Sequence, residues 1–382
     1  MHVLGHLSVE EFLRDYWQKK PVLIRDAWPD FEPLLASDEL AGLSLEDDIE
    51  SRLVMENGPE GSWGIRKGPF AEADYQQLPE DKWTLLVQAV DHWIPEAADL
   101  LQHFRFIPNW RIDDLMISYA VDGGSVGPHY DQYDVFLLQA EGQREWRIGQ
   151  MCTEDSPILK GPKIRVLASF EETDRWVLNP GDMLYLPPQL AHWGIAQGEC
   201  QTYSIGFRAP SLAELAQTTL DQVMQSSTED QRYGDADLQV QSHAGEIDAL
   251  AIARLKTLLT QALEQPDLMG DVLGHLMTEP KYPEHQPEAL SDDEWSDWLE
   301  ELSCNGSARR SEQARFAFRT RASDVLFYAA GQSWPIPSDV KDLAILLTDC
   351  NEYESDSLIH WIKNDSNAKT LIQRLWRKQL IY

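Results

Sequence analysis

Between Asp113 and Phe207 the chain reads as a succession of short strand candidates: Leu115 to Val121, Val135 to Gln139, Glu145 to Ile148, Ile164 to Ala168, Met183 to Leu186 and Thr202 to Phe207. Glycine, proline and aspartate turns separate them. Many short strands punctuated in this way predict a sandwich or a jelly-roll barrel.

Helical patterns flank that segment. Ser8-Val-Glu-Glu11 has the form of a capping box, and Phe12, Leu13, Tyr16 and Trp17 make one face of the helix it opens, which Pro21 stops. The next hundred residues mix helical patterns, short strands and turns and say little about chemistry. Ser211-Leu-Ala-Glu214 opens another capped helix towards Met224, followed by a polar stretch from Ser226 to Gly245. Ile247, Leu250, Ala251, Leu255, Leu258, Leu259 and Ala262 then recur at helical spacing, and further helix is expected from Asp267 to Met277.

The proline-rich run from Glu279 to Pro287 reads as a linker to a small terminal module of one helix, two strands and more helices. Phe316, Phe318 and Thr320 alternate with Arg315, Ala317, Arg319 and Arg321, as a half-exposed strand should, with Val325 to Ala329 as its partner. A helix and hairpin mixture of this kind fits a winged helix.

A length of 382 residues predicts two or three domains, and 43% hydrophobic residues with 14 tryptophans exclude a disordered chain. No run approaches the roughly 20 apolar residues of a membrane span, and Met1 to Lys20 lacks a basic start and apolar signal core, so a cytoplasmic protein is expected. Cys152, Cys200, Cys304 and Cys350 are scattered, which points to reduced structural thiols. The formal net charge of −32 disfavours a nucleic-acid backbone as ligand and suits a basic protein partner.

The candidate chemistry lies in the strand-rich segment. His129-Tyr-Asp131 puts an imidazole and a carboxylate two residues apart, so on a strand both point to one face while Tyr130 points away. Such a triplet arises by chance roughly once or twice in a chain this rich in acids, so its context carries the argument. Gly123-Gly-Ser-Val-Gly-Pro128 leads tightly into it. Downstream, Asn179-Pro-Gly-Asp-Met-Leu-Tyr-Leu-Pro-Pro188 turns, runs a short strand and bends before His192. Two facing strands would then bring two imidazoles and one carboxylate to one side of an ion. That is the facial triad of non-haem Fe(II) oxygenases, which leaves positions open for a bidentate 2-oxo acid and dioxygen.

Period-two alternation places Arg144 with Trp146 and Ile148 on an apolar strand face. A buried guanidinium needs an anion, and its planar fork suits the distal carboxylate of 2-oxoglutarate. On the preceding strand Asp114, Met116 and Ser118 share a face. Ser118 is positioned to donate to the same carboxylate, and Asp114 lies nearer a mouth of the barrel, where it can receive a cationic substrate side chain.

The run from Gly127 to Arg147, with Pro180-Gly-Asp-Met-Leu-Tyr-Leu-Pro-Pro188 and His192, resembles the ribosomal oxygenases of the Jumonji-C class. Trp110 to Ser118 and Tyr203-Ser-Ile-Gly-Phe-Arg-Ala-Pro210 look like the bacterial branch. The resemblance implies an α+β protein: a double-stranded β-helix of the cupin/Jumonji-C type over residues 1–210, a helical dimerisation segment over 211–288 and a winged-helix-like domain over 289–382. It implies a 2-oxoglutarate-dependent dioxygenase, active as a homodimer, that hydroxylates an arginine at carbon beta in the sixteenth protein of the bacterial large ribosomal subunit. By position, His129, Asp131 and His192 match its iron ligands, Ser118 and Arg144 its 2-oxoglutarate contacts, and Asp114 and Ser204 its contacts to the target guanidinium. Histidine-hydroxylating relatives carry Lys where this chain has Arg144. Gln189 stands where many relatives have Gly. Two other readings stay open: the same class acting on another protein, as histidyl hydroxylase or lysyl demethylase, and a metal-binding cupin with only a regulatory role.

Overall fold

The computed structural model of the chain describes residues 3–58 and 61–382, so the first two residues of the amino-terminal stretch lie outside it. Strands β1 (Val22–Ile24), β2 (Ser51–Gly58), β3 (Gly61–Lys67), β4 (Trp83–Val87), β5 (Ile112–Ala120), β6 (Asp134–Met151), β7 (Asp174–Leu178), β8 (Met183–Leu186) and β9 (Leu190–Phe207) form one antiparallel sheet. Its order is β1-β8-β6-β9-β5-β4-β2-β3, with β7 paired to β6. This is the antiparallel, strand-rich architecture expected from the segment between Asp113 and Phe207.

Two expectations merge here. Val135 to Gln139 and Glu145 to Ile148 belong to one strand of 18 residues, β6, and Thr202 to Phe207 ends a second of equal length, β9. Their pairing shifts register between Gln139 and Gln143. Gly142 sits there at φ +61, and a Cβ on it would lie 2.1 Å from the Glu199 carbonyl oxygen. Bulges bend a strand and sharpen its twist, so each long strand turns a corner and serves both halves of the barrel.

Alternation along β6 sorts its side chains. Val135 and Leu137 join Trp146, Ile148, Leu178 and Leu184 in one apolar cluster. Phe136 and Leu138 face the larger core, with Phe12, Phe104, Tyr185 and Phe207. The amino-terminal helix Val9–Asp15, capped by the Ser8 hydroxyl accepting from the Glu11 amide, delivers the fully buried Phe12 to that core.

Ile164 to Ala168 is not a strand. Apart from an Ile158–Leu167 bridge, its backbone bonds go to loop partners, Leu167 N–H to Pro128 O at 2.8 Å and Leu159 N–H to Val166 O at 2.8 Å. Val166 is buried against Val54, Trp63 and Leu86, so the apolar pattern reflects loop packing and not a ladder.

Three helices follow the barrel, Leu212–Ser226, Ala249–Leu263 and Leu268–Thr278, the first with the capping box read at Ser211 and Glu214. The terminal module pairs β10 (Ser307–Arg309) with β14 (Glu352–Glu354), and β11 (Phe316–Thr320) with β12 (Asp324–Ala329) and β13 (Gln332–Pro337). The expected pairing of this strand with Val325 to Ala329 is present, Phe316 lying opposite Ala329. The third strand, β13, was not expected. It contains Pro335 and Pro337, which argue against a strand in sequence but are tolerated at a sheet edge.

The run Glu279 to Pro287 is no free linker. Lys281 Nζ stands 3.0 Å from a carboxylate oxygen of both Asp113 and Asp114, Tyr282 donates to Glu50 at 3.0 Å, and His285 lies 3.7 Å from Asp48. It straps the segment after the helices onto the barrel. Among the described residues, no helix is long and apolar enough to cross a membrane.

Candidate active site

His129, Asp131 and His192 each offer a ligand atom, and these atoms lie within 4.8 Å of one another. The triplet sits just before β6 and not on a long strand. His129 and His192 form an isolated antiparallel bridge, His129 N–H to His192 O at 3.0 Å and the reverse at 2.8 Å. That bridge brings the two imidazoles to 4.2 Å between ring centroids, and His192 Nε2 to 3.6 Å from Asp131.

Each ring is oriented by its other nitrogen. His129 Nδ1 is 2.9 Å from Gly127 O, and His192 Nδ1 is 2.9 Å from Leu190 O. A carbonyl can only accept, so Nδ1 carries the proton in both rings and each Nε2 keeps a lone pair for a metal. Gly127 makes this possible at φ +81, where an added Cβ would press on Val166. Burial, and then the neighbouring His129, push the His192 pKa down to about 4, so it is a neutral donor at physiological pH.

Gln189 adopts φ +67, the left-handed conformation that glycine takes without penalty. Its N–H bonds to Asp131 O at 2.7 Å and its carbonyl accepts from Cys152 N–H at 2.7 Å. Backbone alone does this holding, so the side chain of Gln189 is not needed for it.

The three residues open onto a cavity of about 480 Å³, lined also by Asp114, Met116, Ser118, Arg144, Trp146 and Ser204. That size accommodates a small cosubstrate together with a substrate side chain. The seven candidate site residues, His129, Asp131, His192, Asp114, Ser118, Arg144 and Ser204, thus line one space.

Arg144 is only 5% exposed. Its Nη1 is 3.5 Å from Ser118 Oγ, while its Nε and Nη2 are buried without a partner. Leaving a guanidinium buried and unpaired costs several kcal/mol (about 3–5), so the site is built for an anion. Three further buried orphans, Arg52 Nε, Thr84 Oγ1 and Trp146 Nε1, belong to residues lining the same cavity.

Asp114 is buried at the β-bulge between Ile112 and Leu115, where the pairing of β5 with β9 slips. Its Oδ2 accepts from Gln88 Nε2 at 2.6 Å, Ala89 N–H at 3.0 Å and Lys281 at 3.0 Å. Ser204 faces the cavity from β9, opposite Met116.

Residues 99–215 match the family described as JmjC domain. The chain is 37% identical over 294 residues to Ribosomal protein uL16 3-hydroxylase of Escherichia coli, covering 75% of this chain and 78% of that protein. The chain belongs to the Jumonji-C ribosomal oxygenases. Solved structures agree: the X-ray structure of E. coli ycfD superposes with a TM-score of 0.85 at 31% identity, covering 100% of both chains. A second, the E. coli ribosomal oxygenase in complex with cobalt and 2-oxoglutarate, has a TM-score of 0.82 at 32% identity, covering 99% of this chain and 98% of that one.

In this ribosomal oxygenase several site residues escaped sequence reasoning. The segment before Asp113 carried no recognised chemistry, yet β2, β3 and β4 build one wall with Arg52, Ile65, Thr84 and Leu86. The alternation of Thr84, Leu86 and Gln88 was the available signal. Lys281 carried no signal, since it lies 167 positions from Asp114 in the chain.

Proposed function

We propose that this chain is an Fe(II)- and 2-oxoglutarate-dependent dioxygenase that hydroxylates carbon beta of an arginine in the large-subunit ribosomal protein uL16. The observation that carries the reading is the single cavity that joins a two-imidazole, one-carboxylate donor set, an orphaned guanidinium and a buried carboxylate. In this reading His129, Asp131 and His192 hold the iron. Arg144 and Ser118 hold the distal carboxylate of 2-oxoglutarate, and Asp114 and Ser204 receive the target guanidinium.

The donor set fits the metal. Two neutral nitrogens and one carboxylate suit Fe(II) and leave coordination positions open. The orphaned Arg144 nitrogens fit a dianionic cosubstrate. When bound, iron, 2-oxoglutarate and dioxygen supply the oxidation, which yields succinate, carbon dioxide and the hydroxylated side chain. The residues of the chain bind, orient and exclude water. Arg144 fixes the far end of the cosubstrate, and Trp146 with Leu137 and Val135 makes an apolar wall beside it. Asp114 draws the target arginine in by charge, so that its beta carbon and not its guanidinium lies towards the metal. The acidity of the whole chain suits a basic ribosomal protein and makes direct nucleic-acid binding unfavourable. The cytoplasm, where ribosomes are made, is the compartment this substrate requires.

The test uses protein prepared anaerobically with Fe(II), 2-oxoglutarate and an arginine peptide from uL16. After air is admitted, mass spectrometry is expected to find one added oxygen on arginine. Succinate without peptide oxidation would retain the oxygenase and sink the uL16 assignment, favouring another protein substrate. Neither product would favour a regulatory cupin. Thr84→Val is expected to raise KM for 2-oxoglutarate about two- to tenfold, the worth of one hydrogen bond, in steady-state succinate assays.

We also propose the division into 1–210, 211–288 and 289–382, with the helices of the middle part forming a homodimer interface. Leu220, Met224, Ile252, Leu255, Leu259 and Leu263 are exposed there, more apolar surface than a free monomer usually shows. Light scattering coupled to gel filtration is expected to report twice the chain mass. Leu255→Glu with Leu259→Glu should give a monomer; an unchanged dimer would place the interface elsewhere.

A further inference from the structure

We infer that Lys281, from the strap that follows the helical segment, is a positioning residue for substrate recognition: it locks Asp114 so that one carboxylate oxygen stays free for the target guanidinium. The inference rests on the reading of Asp114 as the substrate contact.

The two oxygens of Asp114 are used unequally. Oδ2 takes three donors, the Gln88 amide, the Ala89 N–H and Lys281 Nζ. Oδ1 lies 3.5 Å from where a Cβ on Gly206 would stand, and Gly206 lines the cavity. Absence of a side chain at Gly206 keeps that approach open. A carboxylate held through one oxygen cannot swing, so the other points in one direction without an entropic cost on binding.

The placement of the neighbouring charges agrees with this assignment. Asp91, Asp113 and Asp114 crowd the bulge at the start of β5, and the Asp91 carboxylate accepts the Leu115 N–H at 2.8 Å. Lys281 bonds both Asp113 and Asp114 at 3.0 Å, and Arg315 from β11's leading edge lies 3.4 Å from Asp113. The two cations sit on Asp113 and on Oδ2 of Asp114, which leaves Oδ1 as the oxygen turned towards Gly206 and the cavity. Burial, followed by repulsion from Asp114, pushes Asp91 up to about 7. Burial opposes the charge on Lys281, but Asp114 and Asp113 outweigh it and hold its pKa above the ordinary value, so it is a fixed cation.

The strap itself is anchored. Tyr282 donates to Glu50, stacks on His285 at 5.5 Å, and His285 faces Asp48. Lys281 is therefore delivered by a segment outside the family-matched residues 99–215. Substrate affinity would then depend on correct docking of the carboxyl-terminal third of the chain.

The test measures KM for the uL16 arginine peptide and for 2-oxoglutarate in the full chain, with Lys281→Met, Lys281→Arg, Asp114→Asn and the Lys281→Met/Asp114→Asn double variant. Lys281→Met should raise the peptide KM on the order of tenfold, as loss of an orienting partner typically does, and leave the 2-oxoglutarate KM where it was. Lys281→Arg should restore most of it. In the Asp114→Asn background, Lys281→Met should add nothing, because the two changes act through one contact. A raised peptide KM in Asp114→Asn with none in Lys281→Met overturns this inference alone. Additive penalties also overturn it, since Lys281 would then act elsewhere. A flat response to Asp114→Asn overturns the reading of Asp114 and the inference with it.

Discussion

His192→Ala is expected to abolish peptide hydroxylation and succinate formation together, with a loss exceeding the roughly 10- to 100-fold typical of disturbing an outer-sphere partner. His192 is 3% exposed and its Nδ1 is committed to Leu190 O, so Nε2 is the only nitrogen it can offer a metal. Removing it leaves one imidazole and one carboxylate, too few donors to keep a divalent ion against water. The same outcome is expected for His129→Ala, whose ring is aimed by Gly127 O in the same way. Co(II) titration followed by visible absorption separates lost metal from lost fold. The wild type should show one saturable site, and both variants should lose it while their circular dichroism is retained. A variant that still binds one equivalent of metal and still releases succinate would remove that histidine from the ligand set.

Arg144→Met should produce two effects of opposite sign. Without ligand, the wild type carries a buried guanidinium whose Nε and Nη2 have no partner. Replacing an unpaired buried charge by an apolar side chain of similar length is expected to stabilise the unliganded protein by about 1–4 kcal/mol. With 2-oxoglutarate, the wild type is expected to gain two charge-assisted hydrogen bonds worth about 1.5–3 kcal/mol each, and the variant none. KM for 2-oxoglutarate should therefore rise at least about a hundredfold. Thermal melts read both halves. The variant melts higher than wild type without cosubstrate, and the increase that saturating 2-oxoglutarate gives the wild type disappears. A variant that melts lower without ligand, yet keeps its cosubstrate-dependent increase, would mean that Arg144 pairs with a protein acid and not with 2-oxoglutarate.

Local pattern carried a large part of this protein. The alternation in β6 separated Val135 and Leu137 from Phe136 and Leu138, and it put Arg144 on the face of Trp146, because a strand's period of two holds whatever the partner strand is. The capping box read at Ser211 is present in full, while at Ser8 only the hydroxyl half of the box forms; both caps need only residues within one turn. The spacing of His129 and Asp131, with the turn and double proline before His192, was enough to suggest one metal, and the family resemblance supplied roles for Asp114, Ser118, Arg144 and Ser204.

What the chain could not show locally is how distant segments meet. The corners at Gly142 in β6, which join two expected strands into one, depend on the Glu199 carbonyl across the sheet. The segment Ile164 to Ala168 looks like a strand because it is rich in β-branched and apolar side chains, but its backbone bonds go to loop residues and amount to one isolated bridge. Thr84 and Gln88 became part of the site only when β4 paired with β5. Lys281 joined it only when the strap folded back onto the bulge at Asp113 and Asp114. The sequence by itself determined which side chains share a face and which chemistry they can perform, since those follow from backbone period and donor type. Tertiary structure alone decided which buried charges find a partner and which, as at Arg144, are left waiting for a ligand, because that balance depends on contacts between residues far apart in the chain.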